Sequence, residues 1–202
     1  MTIKFMYSHL NGFEWLNHHH PALWAEITEA IAQVDAESCK NKQSKEKTKI
    51  DKMLYSPIEM NQHLKLQFEQ RGWKEERYAY YVTDDYKITR QVVNLPSEEQ
   101  KRIIEQAGLT ATPSYHQTDF VKNRVSVEVQ FGKYPFIEFD LFVKHLGFFI
   151  GDGIDLGIEI IPTKNLQSSM SSGPGYYERT LTHILRQGRG NPSVPLIIIG
   201  VE

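Results

Sequence analysis

The stretch "VSVEVQF", Val125 to Phe131, constrains the fold more than any other part of the chain, because apolar and polar residues alternate with the period of two that only an extended strand can use. Val125, Val127 and Val129 fall on one face; Ser126, Glu128 and Gln130 share the other. Ahead of it, "SYHQTDFV" has the same strand character, and the polar "KNR" between the two reads as a turn, so Ser114 to Phe131 form a hairpin. After the hairpin come a helix in "PFIEFDLFVKHLGFFI", an apolar strand in "GIDLGIEIIP", a Ser/Gly loop, a helix in "GYYERTLTHILRQ" and a final strand in "PLIIIGV". A hairpin followed by buried strands that alternate with helices implies an α/β fold, a mixed β-sheet flanked by helices on both faces.

Helices dominate the upstream half. In "PALWAEITEAIAQVDA" the apolar residues Trp24, Ile27, Ile31 and Val34 recur at spacings of three and four, behind a proline suited to a first helical position. A second helix starts at Ser56, where Ser-Pro precedes Glu59, and ends at Gly72; a third runs through "PSEEQKRIIEQAGL", with Ser97 or a neighbour as its cap and Gly108 as its stop.

The 202 residues suffice for one domain, residues 1–202, with a real core. A formal charge of -2 removes any global electrostatic signature of a nucleic-acid binder, so such a function must rest on local clusters of Lys and Arg. The single cysteine, Cys39, cannot close an internal disulfide, and no signal peptide or membrane-length apolar run is present, which together indicate a soluble, cytoplasmic protein. Cys39 itself reads as a buried or inert thiol. The triplet His18 to His20 before Pro21 reads as a polar helix-entry turn, since three adjacent imidazoles cannot share one metal in a regular helix.

The polar face of the second hairpin strand has two readings. It is either the solvated side of an ordinary hairpin or, with Asp119 on the partner strand, a pair of carboxylates converging near the strand ends. The second arrangement suits Mg²⁺, which takes one or two protein carboxylates, keeps several waters and fills its other positions with phosphate oxygens.

The segment "TDFVKNRVSVEVQFGKYPF" resembles the active-site region of the PD-(D/E)xK nucleases, in the subgroup around the restriction endonucleases BglII and BstYI, where glutamine replaces the usual lysine. The likeness runs nearly end to end and is closest to the BstYI branch, through "YSHLNG", "SKEKTK", "LYSP", "GWKE", "YYVT", "QTDFVK", "VEVQFGKY", "DLFVKH", "MSSG", "YYE" and "RQGRG" in the same order. It implies that Asp119 and Glu128 are metal-binding carboxylates, joined by the backbone carbonyl of Val129, and that Mg²⁺ is the cofactor. Gln130 stands where most such nucleases have lysine. Glutamine carries no charge and cannot act as a base, so its implied role is to orient the attacking water. Glu75, with Glu76 as the competing choice, falls where related enzymes place a further polar active-site residue.

The same resemblance implies a type II restriction endonuclease acting on double-stranded DNA as a homodimer, without a nucleotide cofactor, at 5'-RGATCY-3', cutting after the purine to leave GATC 5' overhangs. Lys133, three residues past Gln130, could reach guanine O6 and N7 in the major groove or simply meet a phosphate or solvent. The loop Ser168 to Gly175 offers Ser171 and Ser172 as base-reading candidates, or is an ordinary surface loop. Lys45 and Lys47 in "KNKQSKEKTKIDK", and Arg186 and Arg189 in "RQGRG", are the natural phosphate contacts, the lysine-rich stretch otherwise being a solvated loop. Two rivals stay open: a repair or recombination nuclease of the same fold that reads DNA structure, and a DNA-binding module whose Gln130 marks a decayed active site.

Overall fold

A computed structural model describes residues 1–44 and 52–202. Its frame is a six-stranded mixed sheet built from β1 (Ile3–His9), β4 (Lys74–Val82), β5 (Thr112–Lys122), β6 (Val125–Val129), β7 (Leu156–Pro162) and β8 (Leu196–Val201) in the spatial order β1-β8-β7-β6-β5-β4. The middle pairs β6·β7 and β7·β8 are parallel, as continuous apolar strands joined by helices require; the outer pairs β1·β8, β5·β6 and β4·β5 are antiparallel. Asn123 and Arg124 turn the chain between β5 and β6 at positive φ (49° and 63°), the two-residue turn whose twist matches the strands. A separate two-stranded sheet joins β2 (Lys40–Gln43) to β3 (Met53–Tyr55).

Both faces of the sheet are covered. On one, α1 (Gly12–His19), α2 (Pro21–Ala32) and α3 (Pro57–Gln70) press Leu16, Ile27, Ile31, Leu64 and Phe68 against Phe120, Val125, Val127, Ile158 and Ile199. On the other, one long helical stretch, α6 (Pro135–Phe139), a π-helical turn over Asp140–Lys144 and α7 (His145–Ile150), lies beside α9 (Tyr177–Arg186), burying Ile137, Leu141, Tyr177 and Ile184 against Ile161, Leu196 and Ile198. The outlying helices α4 (Tyr86–Val92) and α5 (Ser97–Gln106) lie between β4 and β5 in the chain, and the short α8 (Lys164–Gln167) follows β7.

Several termini follow local rules. Gly72, at φ 79°, takes the left-handed position that ends α3, and Asp85 caps α4 by accepting the Lys87 and Ile88 amides. Ser56 holds the N-cap position of α3 without a side-chain bond, and Pro96 takes that place in α5. The histidine triplet closes α1 and leads into α2. Cys39 is buried, 3.6 Å from His63 Nδ1, and burial pushes its thiol up. No helix among the described residues is long and apolar enough to cross a membrane.

Candidate active site

A break in strand pairing sets up the site. Lys74 faces Val121 but Glu76 faces Thr118, so Glu75 stands opposite two residues, Asp119 and Phe120. Such a bulge re-aims side chains that would otherwise alternate across the sheet. Asp119 and Phe120, adjacent in sequence, accordingly line one crevice together with Glu75, Val129 and two residues of α3, Asn61 and Lys65, around a volume of about 130 Å³. Asp119 Oδ2 accepts the Val129 amide at 3.3 Å, which ties β5, three residues before its end, to the end of β6. Glu76 does not line this crevice.

Glu128 sits in the same strand as Val129 but turns to the opposite face, where α6, the π turn and α7 cover it. It is 2% exposed, so the solvated reading of this face fails: β6 is the middle of a sheet covered on both sides. Its Oε2 pairs with Lys144 Nζ at 2.8 Å, and Lys144 Nζ lies equally close to Asp140 Oδ1. Asp140 Oδ2 accepts from Gln130 Nε2 at 3.0 Å, while Gln130 Oε1 accepts the Gly132 amide at 3.2 Å. Glu128 Oε1 is buried with no hydrogen-bond partner. Burial first, and the nearby charge of Asp119 second, push the Glu128 carboxyl up to about 8, against the pull of Lys144. Lys144 is held firmly charged by its two carboxylates.

Behind this cluster lies a second buried set. Glu159 pairs in register with Glu128 across β6 and β7 and is fully buried, which drives its carboxyl well above the usual range. His145 accepts or donates at Nδ1 to Ser126 Oγ, 3.0 Å away, and its Nε2 lies 3.4 Å from Glu159 Oε2. Burial, aided by the Lys144 charge, pushes His145 down to about 3, so the imidazole is neutral.

Asp119, Glu75 and Val129 thus share a crevice, and Glu128 and Gln130 approach the same strand end from the other face. Lys133 is exposed in the loop leaving β6, beside Tyr134, whose ring carries the Arg179 guanidinium 3.8 Å from its centroid. Ser172 reaches the same loop by donating to the Phe131 carbonyl at 3.0 Å; Ser171 is exposed and its amide bonds the Tyr55 carbonyl. Arg186 ends α9, and Arg189 follows it, both exposed. Lys45 and Lys47 lie outside the described residues.

Sequence reasoning missed Asn61, Lys65, Asp140, Lys144, His145 and Glu159. The signals were a charged pair four residues apart, Asp140 and Lys144, inside an apolar helix, and a lone Glu159 inside a buried strand. Among the described residues no three His, Cys, Asp or Glu side chains converge to hold a metal on their own.

A family model described as restriction endonuclease BglII/BglIII matches residues 5–201. Among solved structures, restriction endonuclease BglII complexed with a DNA 16-mer is similar at a TM-score of 0.61 and 22% identity, over 99% of this chain and 76% of that one. Free BglII is similar at a TM-score of 0.59 and 20% identity, over 100% and 80%. At these identities the likeness establishes a shared fold. No curated protein matches the chain.

Proposed function

The chain belongs to the restriction endonuclease BglII/BglIII family, and from that premise we propose that it is a type II restriction endonuclease of the PD-(D/E)xK kind that hydrolyses double-stranded DNA with Mg²⁺. The observation that carries the metal assignment is the buried, unpartnered Oε1 of Glu128 at the strand end where Asp119 and Val129 meet. A carboxyl oxygen is costly to bury unpaired, and a cation that displaced the proton burial favours there would satisfy it. Two carboxylates and the Val129 carbonyl form a donor set sparse enough to leave positions for water and phosphate, which suits Mg²⁺.

Asp119, Glu128 and Val129 would hold the cation; when bound, it supplies Lewis acidity and lowers the pKa of its water. Gln130 cannot take the proton from that water. With its amide engaged by Asp140 and Gly132, it keeps one N–H and one lone pair to orient the nucleophile. Water attacks phosphorus in line, the bond to the 3' oxygen breaks, and a 5' phosphate and a 3' hydroxyl result. Lys65, which lines the crevice with Asp119 and Glu75 and pairs with Glu69 at 3.7 Å, would meet a scissile phosphate oxygen.

The proposed target is 5'-RGATCY-3', cut after the purine, with Lys133, Ser171 and Ser172 reading base edges and Lys45, Lys47, Arg186 and Arg189 meeting phosphates. The supporting feature is that Ser172 bonds the Phe131 carbonyl at the exit of β6, with Lys133 two residues further along the same loop. A palindromic target calls for a homodimer with two identical sites. The test is digestion of an unmethylated phage genome with Mg²⁺, followed by sequencing of the fragment ends. Ends beginning GATC and preceded by both A and G support the reading. Ends at AGATCT alone would narrow the target, random ends would favour a nuclease that reads DNA structure, and uncut DNA would favour a binding module.

A further inference from the structure

We propose that Lys144 is a positioning residue of the cleavage site, its one ammonium group fixing Glu128 directly and Gln130 through Asp140. The inference rests on the reading of Asp119, Glu128 and Gln130 as the cleavage residues. Among the described residues, the ion pairs of Glu128 and Asp140 are both with Lys144, each at 2.8 Å, and the Asp140 oxygen left over accepts from Gln130. A continuous chain therefore runs Glu128, Lys144, Asp140, Gln130, and it spans the two side chains that must face the metal and the water.

The chemistry explains why such a group is needed. Position 130 offers no positive charge, yet the Asp119 and Asp140 carboxylates both lie near enough to Glu128 to push its carboxyl up. Lys144 brings the missing charge from the π-helical turn behind the strand, a local insertion of the kind found at functional sites. Its side chain is only 13% exposed, and two of its three donors are committed to carboxylates, so it acts through its neighbours and does not touch substrate. The pairing takes Oε2 of Glu128 and leaves Oε1 unpartnered, which fixes the oxygen presented to the metal. Partners in the outer shell of a metal site orient the ligands and typically matter 10- to 100-fold for affinity or activity.

The test uses the full chain and four variants, Lys144→Met, Lys144→Arg, Gln130→Ala and the double variant Gln130→Ala/Lys144→Met, with Asp119→Ala as control. Mn²⁺ affinity is read from the electron paramagnetic resonance signal of free Mn²⁺, and cleavage from single-turnover rates. Lys144→Met is expected to weaken Mn²⁺ binding roughly 10- to 100-fold, with partial rescue by Lys144→Arg. Because Lys144 acts on Gln130 through Asp140 as well as on Glu128, the loss in the double variant should fall short of the product of the two single losses, the non-additivity of coupled residues. Wild-type Mn²⁺ affinity in Lys144→Met, or rate losses that multiply in the double variant, would overturn the proposal. If Lys144→Met fails to fold, Lys144→Met/Asp140→Asn replaces it: the asparagine keeps an acceptor for Gln130 and removes one buried charge, and the same loss of Mn²⁺ affinity is expected. An Asp119→Ala protein that still cuts and binds Mn²⁺ as wild type overturns the underlying site, whereas an inert Asp119→Ala beside an unaffected Lys144→Met overturns only the role of Lys144.

Discussion

Glu75 and Glu76 are neighbours with different surroundings: the bulge in β5 puts Glu75 in the crevice with Asp119, while Glu76 faces Thr118 in the regular ladder. Glu75→Ala is therefore expected to slow single-turnover cleavage roughly 10- to 100-fold, with Glu76→Ala close to wild type; equal effects would remove Glu75 from the site. His145 gives a pH signature of its own. Its folded value near 3 lies below the ordinary 6.5, so it contributes stability above pH 6.5 that is lost as pH falls toward 3. About 2 kcal/mol should disappear by pH 5, and urea unfolding at pH 7.5 and pH 5 should show a smaller difference for His145→Asn than for the wild type. At this scale the alternation in "VSVEVQF" put Glu128 and Gln130 on one face of a strand, and the family resemblance alone gave them a role. It did not mark Lys144, Asp140 or Glu159, because their partners lie on other elements and meet only when the sheet is covered.

Elements that are buried on one defined face were readable in the chain. The period of α2, the glycine stop of α3 and the β5–β6 hairpin all appear as expected, since each is dictated by neighbours within a few residues. The edge strands β1 and β4 were not legible: "IKFMYSH" and "KEERYAYYV" pair on one side only and mix exposed aromatics with charge, so neither shows a clean period. The β5 bulge is likewise invisible in sequence, because it exists only relative to β4. Packing at element junctions is tight enough to test. A Cβ on Gly12 would stand 2.6 Å from the Leu196 carbonyl oxygen, where α1 crosses β8. Backbone cannot yield as a side-chain tip does, so Gly12→Ala should destabilise by about 1–3 kcal/mol in urea unfolding.

Across the whole molecule, the parallel pairs β6·β7 and β7·β8 and the antiparallel hairpin bring Asp119 of β5 beside the end of β6, inside a sheet buried on both faces. The helices cover that strand end, and the loops carrying Lys133 and Ser172 extend from it. Net charge of -2 means that DNA affinity must come from a few local cations. Binding measured in Ca²⁺ should then fall by about 10³-fold or more between 50 and 200 mM salt if six or more phosphates are met by the protein, and a flat salt response would contradict that count. Asp119, Glu128 and the Val129 carbonyl are proposed to hold the metal at that strand end. Anomalous diffraction from crystals soaked in Mn²⁺ tests this: a peak is expected within about 2.5 Å of an oxygen of each of the three residues, and a peak elsewhere, or none, would rule the site out.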